Sequence, residues 1–473
     1  METTAEHKLE EPARQNQLDR LQAWLLWPTD VATLAVFRIL FGALMVWEVT
    51  RYFEYDRIFR YYVIPDFYFT YELFPMIHPW PEPWIYVHFI AMGVFAAGVM
   101  LGLFYRAAAF LFFISYSYVF LLDKAQHNNH YYLIILFAFL LTCVDAHRWL
   151  SVDKWWHDRQ VGESTSEFVP FWQLFIFRAQ IVIVYFYAGV AKLNADWLIG
   201  EPMRAWLNNR ADYPLLGPFF QTEAAVYFFS GGGLLFDLSI GFLLLWRRTR
   251  PFAILAALFF HLMNKWLFSI GVFPYMMIAT IILFLEPDWS RRLLRLAKPI
   301  FPTPTPTIGP SPRGTWVVSF VAIYLAIQIL APLRHWLYPG EVSWTEEAHR
   351  FSWHMKLRDK DAVVTFYITD PETNQTWEVD IGDRITDRQY SKMASRPDMI
   401  IQFAHHIHDQ FDQAGIIEDP IVQAEAWASL NGRDYQPLVD PTVDLAKEDL
   451  TVFGHFTWIV PLQAERSEAL TEK

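Results

Sequence analysis

The chain has 473 residues, of which 54% are hydrophobic and 18% aromatic, including 41 Phe and 21 Trp. So apolar a composition excludes an ordinary soluble domain and makes lipid the solvent for much of the chain. The formal charge of −12 argues against a nucleic-acid partner, and it is concentrated: from Glu341 onward 25 acidic residues face 12 basic ones, so a near-neutral body carries an acidic, soluble tail.

Residues 1–31 are polar and lack the regions of a cleavable signal, which makes them a cytoplasmic segment ahead of a first apolar run acting as an uncleaved anchor. Apolar runs able to cross the hydrocarbon layer follow at 33–50, 83–104, 107–122, 131–146, 172–191, 225–246, 251–268, 271–286 and 315–333. In lipid such runs satisfy their backbone only as helices, and the SIGVFPY break after 268 marks a kinked or re-entrant pair. Cys143 lies inside an apolar run and reads as a packed thiol. The stretch 299–312 is proline-rich and predicts an extended linker. The excess of Lys and Arg in alternate loops places the N-terminus in the cytoplasm and, with nine spans, the tail outside.

In the tail, VVTFYITD and TWEVDI around PETN predict a hairpin, and QAEAWASL and DYQPLV around Asn431-Gly432 a second one. PDMIIQFAHHIHDQF has helical spacing with Ile400, Ile401, Phe403 and Ile407 on one side. His405, His406 and His408 on it read as a solvated face rather than a metal site. The expected fold is a polytopic α-helical membrane protein of eight or nine transmembrane helices over residues 32–337, with an extracytoplasmic α+β domain over 338–473.

Four polar clusters then fall at one membrane surface. LLDKAQHNNHYYL brings Lys124, His127, Asn129 and His130; AGVAKLNADW brings Lys192, Asn194 and Asp196; HLMNKW brings His261, Asn264 and Lys265; HRFSWHMKLR opens the tail. Convergence of this kind is what a built site requires, although an interfacial lysine, loop histidines in water and a helix-packing network account for each cluster taken singly. The glycines of GGGLLFDLSIG (231–241) allow close helix packing. HExxH, CxxC, a phosphate-cradling glycine loop and a Ser/His/Asp order are all missing. A partly desolvated lysine can serve as a base, and at a lipid boundary the fitting acid is a lipid-soluble one such as a hydroquinone, held by Asn amides and imidazoles.

LLDKAQHNNHYYL resembles a motif of the vitamin K-dependent gamma-glutamyl carboxylase family, which includes bacterial-type homologues. The likeness continues through FRILFGALMV, VDAHRWLSVD, QIVIVYFYAGVAKLNADW, GGGLLFDLSIGFLL, FHLMNKWLFSIGVF and FSWHMKL, over roughly residues 32 to 462. The resemblance implies a multi-pass membrane enzyme with a periplasmic, extracellular or luminal tail. It also implies that vitamin K hydroquinone reacts with O2 to give a strong base and leaves as the epoxide, while a peptide or protein glutamate takes up CO2. On it, Lys124 matches the hydroquinone base, Asn129, His130, His261 and Asn264 the cofactor-binding residues, and Trp353 and Met355 the glutamate-binding segment, in which Arg358 is the third expected substrate-binding residue; no metal is implied. Partners implied are membrane lipid, a glutamate-containing peptide or protein, and a quinone reductase. Ala348, His354 and Arg358 stand where vertebrate members have Leu, Asp and His, and the vertebrate disulfide and long C-terminal region have no match. Hydroquinone oxygenation is therefore the better supported half-reaction, with an uncoupled epoxidase and a non-catalytic lipid-binding scaffold as the alternatives.

Overall fold

A computed structural model describes residues 16–162, 164–268, 270–298, 312–382 and 384–463; the expected linker, apart from Pro312, lies outside them. The apolar runs are helices: α1 (Ala32–Glu54), α2 (Trp84–Leu101), α3 (Tyr105–Leu121), α4 (Asn129–Cys143), α5 (Trp172–Ala191), α6 (Glu223–Leu245), α7 (Arg250–Phe268), α8 (Phe273–Thr280) and α9 (Pro312–Leu333). Of these described helices, six (α1, α2, α5, α6, α7 and α9) are long and apolar enough to cross a membrane, whereas α3, α4 and α8 are shorter apolar helices. The protein is a multi-pass helical membrane protein, with the nine expected spans divided into these two classes.

Burial explains why the short helices hold. α4, with 15 residues, rises only about 22 Å, yet it buries Leu133, Ile134, Phe137, Leu140 and Leu141. Phe37 of α1 meets Phe137 of α4 and Phe177 of α5 edge-on, at centroid distances of 5.5 and 5.4 Å, the geometry that aromatic quadrupoles favour. A Cβ at Gly42 would lie 2.6 Å from the backbone nitrogen of Met100, so α1 and α2 cross backbone to backbone. By contrast Ile90, Val94 and Leu101 of α2 and Ile323, Ile327 and Leu330 of α9 are exposed, which gives these helices apolar faces suited to lipid. Part of the polar N-terminal segment is ordered too: β1 (Pro28–Asp30) pairs antiparallel with β2 (Phe168–Pro170).

The C-terminal domain is α+β. β3 (Lys360–Thr369), β4 (Thr376–Glu378), β5 (Ile421–Leu430) and β6 (Gln436–Pro437) form an antiparallel sheet in the order β4-β3-β5-β6, with both expected hairpins present. Alternation along β3 buries Val364, Phe366 and Ile368. They share a core with Ile400, Ile401, Phe403 and Ile407 of α11 (Pro397–Gln413), which follows α10 (Asp387–Met393).

That core reaches into the membrane body, because Phe69 and Ala125 belong to it. Thr386 and Gln389 make a capping box on α10, and the same Gln389 amide donates to the Phe67 carbonyl at 2.7 Å and to Asp123 at 3.2 Å. On the other flank Arg433 grips Asp196 through two nitrogens, at 2.7 and 2.8 Å. His406 stacks on Phe67 at 4.2 Å, His405 reaches the Glu448 carbonyl, and His408 sits between Asp409 and Asp419. The helix face expected to be solvated is thus partly a docking face.

Candidate active site

The polar clusters meet around two cavities rather than one. The first, of about 240 Å³, is walled by α5, α6, α7 and α8, with Met355 and Lys356 of the C-terminal domain also lining it. Its walls are largely aromatic: Trp197, Trp206, Phe229, Phe236, Phe260 and Phe273 among them. Phe228 and Phe259 line it as well and are 59% and 62% exposed on the outside of the helix bundle.

Few polar groups enter this cavity, and each has a defined position. Lys192, at the C-terminal end of α5, donates from Nζ to Asp237 Oδ2 of α6 at 2.7 Å and to the Ala188 carbonyl at 3.1 Å. The ammonium also lies 5.2 Å from the Trp197 ring. Both partners of this pair are buried, and a buried pair is stable only while neither member is removed. His261 of α7 shares a hydrogen between Nε2 and the Tyr185 hydroxyl at 2.7 Å. His130 lies flat on Phe273, with centroids 4.0 Å apart and an interplanar angle of 14°. It is set there by the N-terminus of α4, which Asn128 caps by accepting from the His130 backbone nitrogen. Asn264 completes the polar lining from α7. Lys356 brings its ammonium to 5.2 Å from both Trp206 and Phe268, and burial lowers its pKa below the ordinary lysine value.

The expected site residues divide accordingly. His130, His261, Asn264 and Met355 line this cavity together. Asn129 lies beside it, donating from Nδ2 to the His354 carbonyl at 3.0 Å. Trp353 is buried in a stack on Tyr132, and Arg358 is ion-paired to Glu346 at 2.7 Å. Lys124, expected as the base, lies apart from this group. It is 1% exposed, and its Nζ donates to Glu72 at 2.5 Å and to Asp398 of α11 at 2.9 Å. It is not among the residues that line this cavity. Two carboxylates hold its ammonium, so Lys124 joins the membrane body to the C-terminal domain. Lys124 opens the 3-10 turn Lys124–Gln126, capped by Asp123, and its side chain meets Asp398 of α11.

Sequence reasoning placed Lys192 in a cluster without separating it from its neighbours, and passed over Asp237 as part of a glycine-rich packing run. One signal was available: a lone carboxylate within an apolar span is expensive and needs a partner. The glycines around it serve two ends, since Gly232 and Gly233 line the cavity while a Cβ at Gly241 would meet Val182 Cα at 3.1 Å.

Two family models match the chain, the HTTM domain over residues 27–289 and the vitamin K-dependent gamma-carboxylase lumenal domain over residues 313–465. No solved structure matches it.

Proposed function

We propose, for a chain that belongs to the vitamin K-dependent gamma-carboxylase family, that the aromatic cavity binds a reduced vitamin K-type naphthoquinone and that Lys192 is its base. The function is of the vitamin K-dependent carboxylase type. The finer reading is carboxylation of a peptide or protein glutamate with CO2, coupled to O2-dependent conversion of the hydroquinone to its epoxide. The observation that carries it is an amine and a carboxylate 2.7 Å apart in the wall of a cavity lined largely by aromatic rings.

The residues present fit such a group. Flat aromatic walls suit a fused bicyclic ring, and His130, His261 and Asn264 offer hydrogen-bonding atoms for two ring oxygens. When bound, the hydroquinone supplies reducing equivalents and, after reaction with O2, the strong base needed to remove a carbon-bound proton. Lys192 and Asp237 work as a pair: transfer of the ammonium proton from Nζ to Asp237 Oδ2 frees the amine, which then takes a phenolic proton. Tyr185 holds the His261 ring in one orientation, and the aromatic walls exclude bulk water. Met355 borders the entering glutamate, while Trp353 and Arg358 shape the segment that carries it. Lys124, assigned here to docking, supports this geometry from outside the cavity. In this reading residues 1–31 are cytoplasmic, 32–337 form the membrane domain and 338–473 lie on the outer side, where a quinone reductase resupplies the reduced quinone through the lipid.

The test is incubation of detergent-purified protein with reduced vitamin K, O2, a glutamyl peptide and labelled CO2. Epoxide together with fixed label supports the reading; epoxide without label in the peptide replaces it by an uncoupled oxygenase, and neither product rejects it.

A further inference from the structure

The second cavity, of about 230 Å³, lies between the membrane body and the C-terminal domain, with Glu72, Glu346, Glu347 and Asp398 as the carboxylates of its wall. Lys124 and Arg350 meet Glu72 and Asp398, and Arg358 meets Glu346 at 2.7 Å. Three further cations crowd Glu346 without lining the cavity: Lys360 at the start of β3, Lys392 on α10 and Arg396 just ahead of α11, each within electrostatic reach of that carboxylate. The side chain of Lys360 is 2% exposed. Its Nζ donates to the Trp344 carbonyl at 2.6 Å and lies 5.1 Å from the Trp344 ring. The nearest carboxylate oxygen among the described residues, on Glu346, is 4.0 Å away, beyond hydrogen-bond reach. Burial, with Arg358 and Arg396 near and only Glu346 opposing them, lowers the pKa of this amine from its ordinary 10.5 to about 7. At neutral pH a large share of Lys360 is therefore a free amine with a lone pair, the form in which a buried lysine is a nucleophile.

We propose that Lys360 is a carbamylation site, where the amine takes up CO2 as a carbamate held by Arg358, Lys392 and Arg396. The Nζ lone pair forms the N–C bond, one π pair of CO2 moves onto oxygen, and an Nζ proton leaves to solvent. A neutral side chain becomes a monoanion, with nothing oxidised or reduced. Charge favours the product, because the new anion arises where several cations share one carboxylate that Arg358 already holds. CO2 is small and uncharged, so the burial that keeps ionic reagents from Lys360 does not keep CO2 out. The N–H that the carbamate retains can still donate to the Trp344 carbonyl. That bond has a structural part, since Trp344 and Lys360 are the two ends of a segment whose Met355 and Lys356 line the aromatic cavity. Glu346, Ala348, Phe351, Trp353 and Lys356 within it all have left-handed backbone, which costs energy outside glycine and persists only where the surroundings hold it. A carbamate at the root of this segment ties the setting of the cavity wall to the supply of CO2. The inference needs only dissolved CO2 and stands apart from the carboxylase reading.

The test equilibrates the full-length protein in detergent with isotopically labelled bicarbonate, traps carbamates by alkylation with an oxonium salt, and locates the label by peptide mass spectrometry. In the wild type, Lys360 is expected to carry at least about tenfold more label than exposed Lys447, whose pKa Asp419 holds above the ordinary value. Arg396→Gln is expected to lose most of the label, because it takes a cation from the carbamate and leaves Lys360 more protonated; Arg396→Lys should keep it. Melting temperatures establish that both variants are folded. Lys360 labelled no more than Lys447, label on Lys392 in its place, or undiminished label in folded Arg396→Gln overturns the site. Label on Lys360 in a protein that fixes no CO2 into a glutamyl peptide supports the site and removes the carboxylase reading. Fixation of CO2 with Lys360 unlabelled does the reverse.

Discussion

Lys192 Nζ and Asp237 Oδ2 stand 2.7 Å apart on helices α5 and α6, and those helices meet where residue 189 has no side chain. A Cβ at Gly189 would lie 2.8 Å from the backbone nitrogen of Leu238 and 2.7 Å from its Cγ. Gly189→Ala must therefore push the two helices apart one turn from the ion pair. The expected loss of stability is about 1–3 kcal/mol, the usual range for overpacking. Epoxide formation should fall further than stability does, because a displacement of even 1 Å misplaces a base. Thermal melting and epoxide assays on the same preparation check both halves.

The two buried lysines separate chemistry from docking. Lys192→Met should abolish epoxide formation at every quinone concentration in a protein that still inserts and folds. Lys124→Met should instead leave Glu72 without its cation and Asp398 with Arg350 alone, at a cost of about 1.5–3 kcal/mol, read as earlier melting of the C-terminal domain. Below that melting temperature, epoxide formation should persist. Loss of epoxide in folded Lys124→Met with retention in Lys192→Met would exchange the two assignments.

How far the sequence could anticipate this is seen in the same two lysines. The nine apolar helices of the described residues were legible because an apolar run in lipid has one way to satisfy its backbone, and the tail hairpins because Asn431-Gly432 and the PETN turn fix their registers. His130, His261 and Asn264 could be grouped because the first opens one apolar helix and the other two lie toward the end of another, at one expected level. Lys124 could not be told from Lys192 on those grounds, since both end an apolar run. What separates them is the 3-10 turn at Lys124–Gln126 and the presence of Asp398, 274 residues away, over one of them only. Asp237 was hidden for the complementary reason: its partner lies on another helix, 45 positions distant.

The histidines under the C-terminal domain predict a pH dependence. Burial, with His335, Arg358 and Lys192 nearby, lowers the His354 pKa from its ordinary value near 6.5 to about 3, and burial with Arg358, His354, Arg396 and Arg350 nearby lowers His349 well below its own. Unfolded chains bind these protons first, so the stability each neutral ring contributes is complete above pH 6.5 and is lost as the pH falls from there toward 3. Each such group can remove at most about 1.4 kcal/mol per pH unit. Melting of the C-terminal domain should therefore drop between pH 7 and pH 5, and His354→Gln should flatten part of that slope. Parallel slopes for the two proteins would show that His354 does not carry it.

Tyr185 and His261 give the last prediction. The hydroxyl and Nε2 share one hydrogen at 2.7 Å in a buried setting. Tyr185→Phe leaves the imidazole nitrogen without a partner, which costs about 1–3 kcal/mol of stability. It also frees the ring to turn, so the KM for the hydroquinone should rise by about five- to tenfold, the equivalent of one hydrogen bond. The double variant Tyr185→Phe, His261→Phe discriminates between the two effects. With both polar partners replaced by apolar groups, stability should return close to the wild-type value, because no orphaned nitrogen remains. The KM should stay high or worsen, because the group proposed to meet the ring oxygen is gone. Recovery of stability and of KM together would mean that His261 serves the packing of α5 on α7 and not the quinone.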